Sequence, residues 1–184
     1  MNEPLTYDEL LHRIWVVGHH TAELLVKYED STFLKYADIS HQQYVILMIM
    51  AMQKEPTTAT FIAHHMARNV NTLSTMLDRM ESKGLGKKVR DLIDRRSVSL
   101  IMTDKGKEAL QSALMAGWSM IEKVFSDYSQ EEVQQLLQLT DKIRTRVLAE
   151  LSPEDRKLAL NQTPEDFEVA NIRKLMQSLS NTKE

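Results

Sequence analysis

From Tyr7 to about Tyr36, the apolar residues Leu10, Leu11, Ile14, Trp15, Val17, Leu24, Leu25 and Tyr28 recur at helical spacing. A long helix is predicted there. Its apolar positions fall on two sides, more than one small core requires, which suits a helix that also packs against a second subunit. Ser40-His41-Gln42-Gln43 reads as a capping box, with Gln43 at the N3 position. The helix it opens should run through the apolar stretch 45–52 to about Gln53 and be largely buried. Lys54-Glu55-Pro56-Thr57 breaks it. A short helix is predicted near Thr58–Met66. A turn at Ala67-Arg68-Asn69 follows, and Asn69 caps a helix over about Val70–Lys83 that Gly84 terminates.

After Leu85 the period changes from helical to two. Val98, Leu100 and Met102 alternate with Ser97, Ser99 and Ile101, and Gly86–Val89 offers a partner strand across a loop at Asp91–Asp94. Thr103-Asp104 starts a helix from about Lys105 to Tyr128, and the capping box Ser129-Gln130-Glu131-Glu132 starts another reaching about Leu151. Ser152-Pro153-Glu154-Asp155 and Thr163-Pro164-Glu165-Asp166 each place proline and acid in a first turn. They predict two further helices, one short and one over about Glu165–Leu179. The expected divisions are an N-terminal helix at 1–39, a middle domain at 40–103, a pair of C-terminal helices at 104–151 and a helical tail at 152–184.

Composition narrows the classes. Of 184 residues, 42% are apolar, which fits a soluble globular chain. The longest apolar run is too short to cross a bilayer, and Met1-Asn2-Glu3-Pro4 does not begin like a signal peptide. Without cysteine there is no disulfide and no thiolate chemistry. The expected location is the cytoplasm. Net charge is −3, but residues 64–107 carry ten basic and five acidic side chains, +5, which leaves −8 on the remainder. A basic module on an acidic body is the asymmetry of a protein that offers one face to phosphates, although a solvated charged hairpin has the same pattern.

Helix, tight turn, helix, then β-hairpin is the order of a winged helix-turn-helix. The expected fold is therefore mainly α with a small β-hairpin: such a domain plus a helical dimerisation region. Ile62, Ala63, Met66, Leu73, Met76, Leu77 and Met80 should form its buried side. Asn71, Thr72, Ser74 and Thr75 should lie exposed near the start of the second helix. A helix fits the major groove, asparagine can pair with adenine and threonine can meet the thymine methyl.

The run from Ile62-Ala63-His64-His65-Met66 through Asp78-Arg79-Met80-Glu81 to Lys83-Gly84-Leu85 resembles the recognition region of the MarR family of bacterial regulators. Asp94-Arg95-Arg96 with Leu100, Thr103, Lys105 and Gly106 resembles that family's wing and exit. The resemblance is specific over about 62–107 and topological in the flanking helices. It implies that Arg95 and Arg96 work at the wing, in the minor groove or on phosphates, with Asp94 orienting an arginine. Arg68, Lys87, Lys88 and Arg90 become candidate phosphate contacts, and Asn69 and Arg79 complete the expected DNA-facing set. It also implies a homodimer on a near-palindromic double-stranded operator, acting as a ligand-responsive repressor. A small aromatic or amphipathic effector would sit between the dimer helices and the DNA domain, with Trp15, His19, Tyr44, Met48 and Met66 as candidates. Gly86 stands where an apolar residue usually begins the wing strand, Leu92 and Ile93 are apolar at the wing tip, and Thr75 replaces a frequent basic residue.

Other chemistry finds little support. His12, His19 and His20 share a predicted helix, with His41, His64 and His65 elsewhere, but no metal-ligand spacing occurs. No metal or cofactor is expected, nor is an enzyme, because neither a phosphate-binding glycine loop nor a nucleophile motif is present. The alternative is a winged-helix dimer that holds another protein on its acidic body without specific DNA binding.

Overall fold

The computed structural model describes residues 4–53, 56–66, 69–90 and 98–159, together with Ile172, Lys174 and Gln177 in helical conformation. Seven helices and three strands alternate among the described residues: α1 (Tyr7–Ala37), α2 (His41–Met52), β1 (Thr57–Thr58), α3 (Ala59–His65), α4 (Val70–Ser82), β2 (Gly86–Arg90), β3 (Val98–Met102), α5 (Asp104–Val124), α6 (Gln130–Glu150) and α7 (Pro153–Ala159). Every predicted helix up to the first of the tail is met within the described residues. The second tail helix falls mostly outside them, as do the wing-tip residues Leu92 and Ile93.

Ser40 and Ser129 close the predicted capping boxes with Gln43 and Glu132, and Thr6 closes a further one with Glu9. Each box satisfies backbone N–H groups that the first helical turn leaves without partners. α1 ends on Asp38, whose φ of 51° places it in the left-handed region. This corner turns the chain into α2, the apolar centre of the molecule. Ile46, Leu47 and Met48 have no exposed surface, and they meet Phe33, Ile39, Ile62, Leu73, Leu77, Met80, Leu100, Leu110 and Ala113 in one core. The helix reads as apolar nearly all round because it is covered on nearly all sides.

One expectation needs extending. The sheet has three antiparallel strands in the order β1-β3-β2, not a two-stranded hairpin. Thr57 and Thr58 pair with Leu100 and Ser99, while Gly86 through Arg90 pair with Met102 through Val98. A two-residue strand is too short to carry an alternation signal, so its sequence announced only the break after α2. β3 is thereby made the central strand, and Leu100 on it is buried.

Two regions are not part of this core. Residues 4–28 are exposed throughout, although they include Leu10, Leu11, Ile14, Trp15, Leu24 and Leu25. α6 has no buried residue along its 21 positions, yet carries Leu136, Leu137, Leu139, Ile143 and Val147. No helix among the described residues is long and apolar enough to cross a membrane.

Candidate nucleic-acid interface

α3 and α4 are set against each other by small, local decisions in the sequence. Thr58 caps α3 by accepting a hydrogen bond from the Phe61 N–H at 3.1 Å. Phe61 packs on the His65 ring, with centroids 3.9 Å apart, and a His65 ring nitrogen lies 2.9 Å from the Phe61 carbonyl. Asn69 caps α4 through its Oδ1, which accepts from the Asn71 N–H at 2.9 Å. Along α4, Leu73, Leu77 and Met80 recur at i, i+4 and i+7 and are buried. Asn71, Thr72, Ser74, Thr75, Asp78 and Arg79 are exposed. The short neutral side chains expected to face DNA therefore share the free side of one helix. Met66 and Met76 are half-buried against the core.

The end of α4 is fixed more firmly than its start. Gly84 takes φ 73°, its N–H bonds the Glu81 carbonyl at 2.9 Å, and the Leu85 N–H bonds the Met80 carbonyl at 2.9 Å. This is a Schellman ending, and glycine supplies the left-handed residue without a Cβ clash. Three successive carbonyls then each receive a donor from the start of α5. Lys83 O takes the Lys105 ammonium at 2.7 Å, Gly84 O the Thr103 hydroxyl at 2.5 Å, and Leu85 O the Thr103 N–H at 3.3 Å. Thr103 Oγ1 also accepts from the Gly106 N–H at 3.0 Å as the α5 cap. A Cβ on Gly106 would lie only 2.0 Å from Leu85 O, so glycine is what lets these two segments meet.

Acidic side chains of α4 brace the wing. Lys88 donates its backbone N–H to Glu81 Oε1 at 2.9 Å, and its ammonium is paired with Asp78. Lys83 reaches the other way, donating to Asp38 O at 2.7 Å and pairing with Asp38 Oδ1 at 3.3 Å. The α4 end is thus tied to β2, to α5 and to the α1–α2 corner at once. Sequence reading did not single out Asp38, Asp78 or Glu81 for these roles. The i, i+10 and i, i+7 separations from Lys88 carry no periodic signal.

The expected DNA-facing residues divide accordingly. Asn69, Asn71, Thr72, Ser74, Thr75, Arg79 and Lys87 are exposed on α4 and β2. Lys88 is partly buried and engaged by Asp78, so it is a brace and not a free phosphate contact. Arg90 lies in β2, while Arg68, Asp94, Arg95 and Arg96 lie outside the described residues. Gly86 begins β2, and a Cβ there would make only ordinary contacts with Ile101 O at 3.6 Å, Leu100 Cδ2 at 3.7 Å and Met50 Cε at 3.9 Å. The local backbone does not demand glycine at that position.

The expected effector residues do not come together. Trp15 is 62% exposed on the outer half of α1, beside His19 with ring centroids 5.2 Å apart. Met48 is fully buried, Met66 sits at the end of α3, and Tyr44 packs on Phe33 with centroids 4.4 Å apart. Helical spacing alone does not report which part of a 31-residue helix lies over the core. Tyr44 instead lines a cavity of about 530 Å³ between α1 and α5, with Glu29, Phe33, Leu114, Gly117 and Trp118 among its walls. Burial, with a smaller contribution from the Glu29 charge, pushes the Tyr44 hydroxyl up to about 12. A neighbouring cavity of about 630 Å³ is lined by Tyr28, Lys35, Tyr36, Ser112, Met115 and Lys123. Among the described residues no cluster of three or more His, Asp or Glu side chains could hold a metal ion.

A two-helix unit with a polar outer helix, backed by a three-stranded wing sheet, defines a winged helix-turn-helix protein. Residues 39–98 match the MarR family model. The HTH-type transcriptional regulator MgrA of Staphylococcus aureus is 29% identical over 116 residues, 63% of this chain and 76% of that protein. A MarR family transcriptional regulator from Streptomyces coelicolor, solved in complex with DNA, shares the fold with a TM-score of 0.67 and 23% identity, over 84% of this chain and 94% of that one. An organohalide-sensing transcriptional regulator in its 2,4-dichlorophenol-bound form aligns with a TM-score of 0.64 and 20% identity, over 79% and 87%. The chain is thus similar to MarR family winged helix-turn-helix transcriptional regulators, by the family model over residues 39–98 and by fold over most of its length.

Proposed function

We propose that the chain is a homodimeric, ligand-responsive repressor that reads a near-palindromic operator with α4. The observation that carries this reading is the free face of α4: Asn71, Thr72, Ser74 and Thr75 stand exposed and uncharged on a helix whose opposite side is locked in the core. Uncharged short side chains suit base edges, while cationic groups supply affinity through phosphates. Arg95 and Arg96, with Asp94 orienting one of them, are assigned to the wing contact. Arg68, Lys87 and Arg90 are assigned to the backbone.

The dimer reading rests on α1 and α6. Two long helices carry rows of exposed leucine, isoleucine and tryptophan that no described residue covers, and a two-fold partner would supply the cover. Residues 1–39 and 104–151 are thus read as the dimerisation region around the DNA-binding domain of 40–103. The relative solved with 2,4-dichlorophenol supports a small aromatic or amphipathic effector, for which the Tyr44–Trp118 cavity is the assigned site. Lys83 gives that site a route to α4, because it holds Asp38 at the corner where α1 ends.

The test is a gel shift on the DNA upstream of the chain's own gene with the Arg95→Ala, Arg96→Ala double variant. Operator binding at moderate salt should be abolished while sedimentation still reports a dimer. Unchanged affinity would remove the wing from the reading. No shift by the parent chain at any salt concentration would favour a protein-interaction role.

A further inference from the structure

We propose that the Tyr44–Trp118 cavity selects lipophilic organic cations, of the quaternary ammonium or phosphonium kind. The proposal rests on the effector reading of this cavity and names the class of ligand it takes. Three aromatic rings line the space, each from a different helix: Phe33 from α1, Tyr44 from α2 and Trp118 from α5. The Phe33 and Tyr44 rings have centroids 4.4 Å apart and are tilted by 33°. Two carboxylates, Glu29 and Glu122, stand in the same wall, and among its described residues there is no lysine, arginine or histidine. Both carboxylates are held in place. Glu29 Oε2 lies 3.1 Å from His41 Nε2, and Glu122 Oε1 accepts from the Trp118 indole N–H at 2.9 Å. Each contact engages one oxygen of its carboxylate. The Glu29 side chain is 33% exposed, so water screens its charge only in part.

The face of an aromatic ring is the negative end of its quadrupole and attracts a cation placed over it. A carboxylate beside the ring adds Coulomb attraction, and an anion of the same shape is repelled by both. Burial first, and the Glu29 charge after it, push the Tyr44 hydroxyl up to about 12, so this ring stays an uncharged phenol at neutral pH. The neighbouring cavity has the opposite character. Lys35 and Lys123 line it together with the hydroxyls of Ser31, Ser112 and Ser119, and its described walls hold no carboxylate. Met115, Ser119 and Met120 of α5 are walls of both spaces. With volumes of about 530 and 630 Å³, the two differ little in size. Helix α5 therefore separates an acidic aromatic space from a basic, hydroxyl-lined one, and charge is what distinguishes their ligands.

Tetraphenylphosphonium and tetraphenylborate are alike in shape and apolar surface and opposite in charge, so the pair isolates the sign. The chain has two tryptophans, Trp15 and Trp118, and the Trp15→Phe chain reports on Trp118 alone. In that background, tetraphenylphosphonium should change Trp118 emission and bind at least about tenfold tighter than tetraphenylborate. Glu29→Gln and Glu122→Gln keep the side-chain shape and remove one charge each. Each should weaken the phosphonium about fivefold and leave the borate no weaker. Glu154→Gln, an equal charge change on exposed α7, should alter neither ion. Equal affinities, tighter binding of the borate, an undiminished cation preference in the Glu29→Gln, Glu122→Gln double variant, or an equal effect from Glu154→Gln would overturn the proposal. So would phosphonium binding that leaves Trp118 emission unchanged, because the ligand would then lie elsewhere. A charge-dependent preference for the phosphonium at Trp118 with no change in operator binding would support the ligand class while removing the effector reading, so the two fail separately.

Discussion

Replacing Gly106 with alanine is the sharpest single test of how the DNA-binding domain is joined to α5. The new Cβ would sit 2.0 Å from Leu85 O and 3.0 Å from both Leu85 C and Met102 Cγ. A C···O contact of about 3.3 Å is normal, so the start of α5 must retreat by roughly 1.3 Å. The obstacle is backbone, which cannot swing aside as a side chain does. A retreat of that size breaks or weakens the bonds from Thr103 and Lys105 to the carbonyls of Lys83, Gly84 and Leu85. Three bonds at about 1 kcal/mol each amount to roughly 3 kcal/mol. Alanine regains about 1 kcal/mol of helix propensity, which leaves a net loss of about 2 kcal/mol. Urea unfolding followed by circular dichroism should show a lower midpoint at unchanged slope, and Tm should fall by about 4–8 °C. Gly18→Ala is the internal contrast, since among the described residues its Cβ meets nothing within 4 Å and the change should not destabilise the subunit. A Gly106→Ala chain as stable as the parent would refute the close approach of α5 to Leu85.

Three further outcomes follow from the same geometry. Asp78→Asn releases Lys88 from its ion pair and removes an acidic group beside α4. Non-specific DNA affinity should rise and the salt dependence should steepen by about 0.9, one extra phosphate contact, in a titration of binding against salt. Leu137, 68% exposed on α6, should tolerate aspartate within the subunit. Leu137→Asp should nonetheless weaken the proposed dimer by at least about 3 kcal/mol, roughly a hundredfold in Kd by sedimentation, through an unpaired charge at the interface. Tyr44 titrates near 10 when unfolded and about 12 when folded. A raised tyrosine pKa contributes stability that is complete below pH 10 and lost as pH climbs towards 12. Unfolding at pH 9 to 12 should lose on the order of 2 kcal/mol, and Tyr44→Phe should lack that fall.

What the sequence determined by itself was everything written in short range. Capping boxes at Thr6, Ser40 and Ser129, the Asn69 cap, the Gly84 ending and the i, i+4, i+7 row of Leu73, Leu77 and Met80 are local codes. Their energies come from groups within a turn or two of one another. The exposed set on α4 followed from the same periodicity, and with it the family resemblance. Tertiary structure decided the long-range meetings. The motifs at Lys83-Gly84-Leu85 and at Thr103, Lys105 and Gly106 are separate in the chain, but in space they are the two halves of one clamp. Lys88 reads as a free cation until Asp78 and Glu81 are placed beside it. β1 has too few residues to signal a strand, and exists because Leu100 and Ser99 present an unpaired edge to Thr57 and Thr58. The effector candidates show the limit most clearly. Trp15 and Tyr44 both lie on apolar helix faces, but only the fold shows that Phe33, not Trp15, is where α1 crosses the core. Side-chain type and spacing specify a face, whereas the neighbour that covers that face is set by the path of the whole chain.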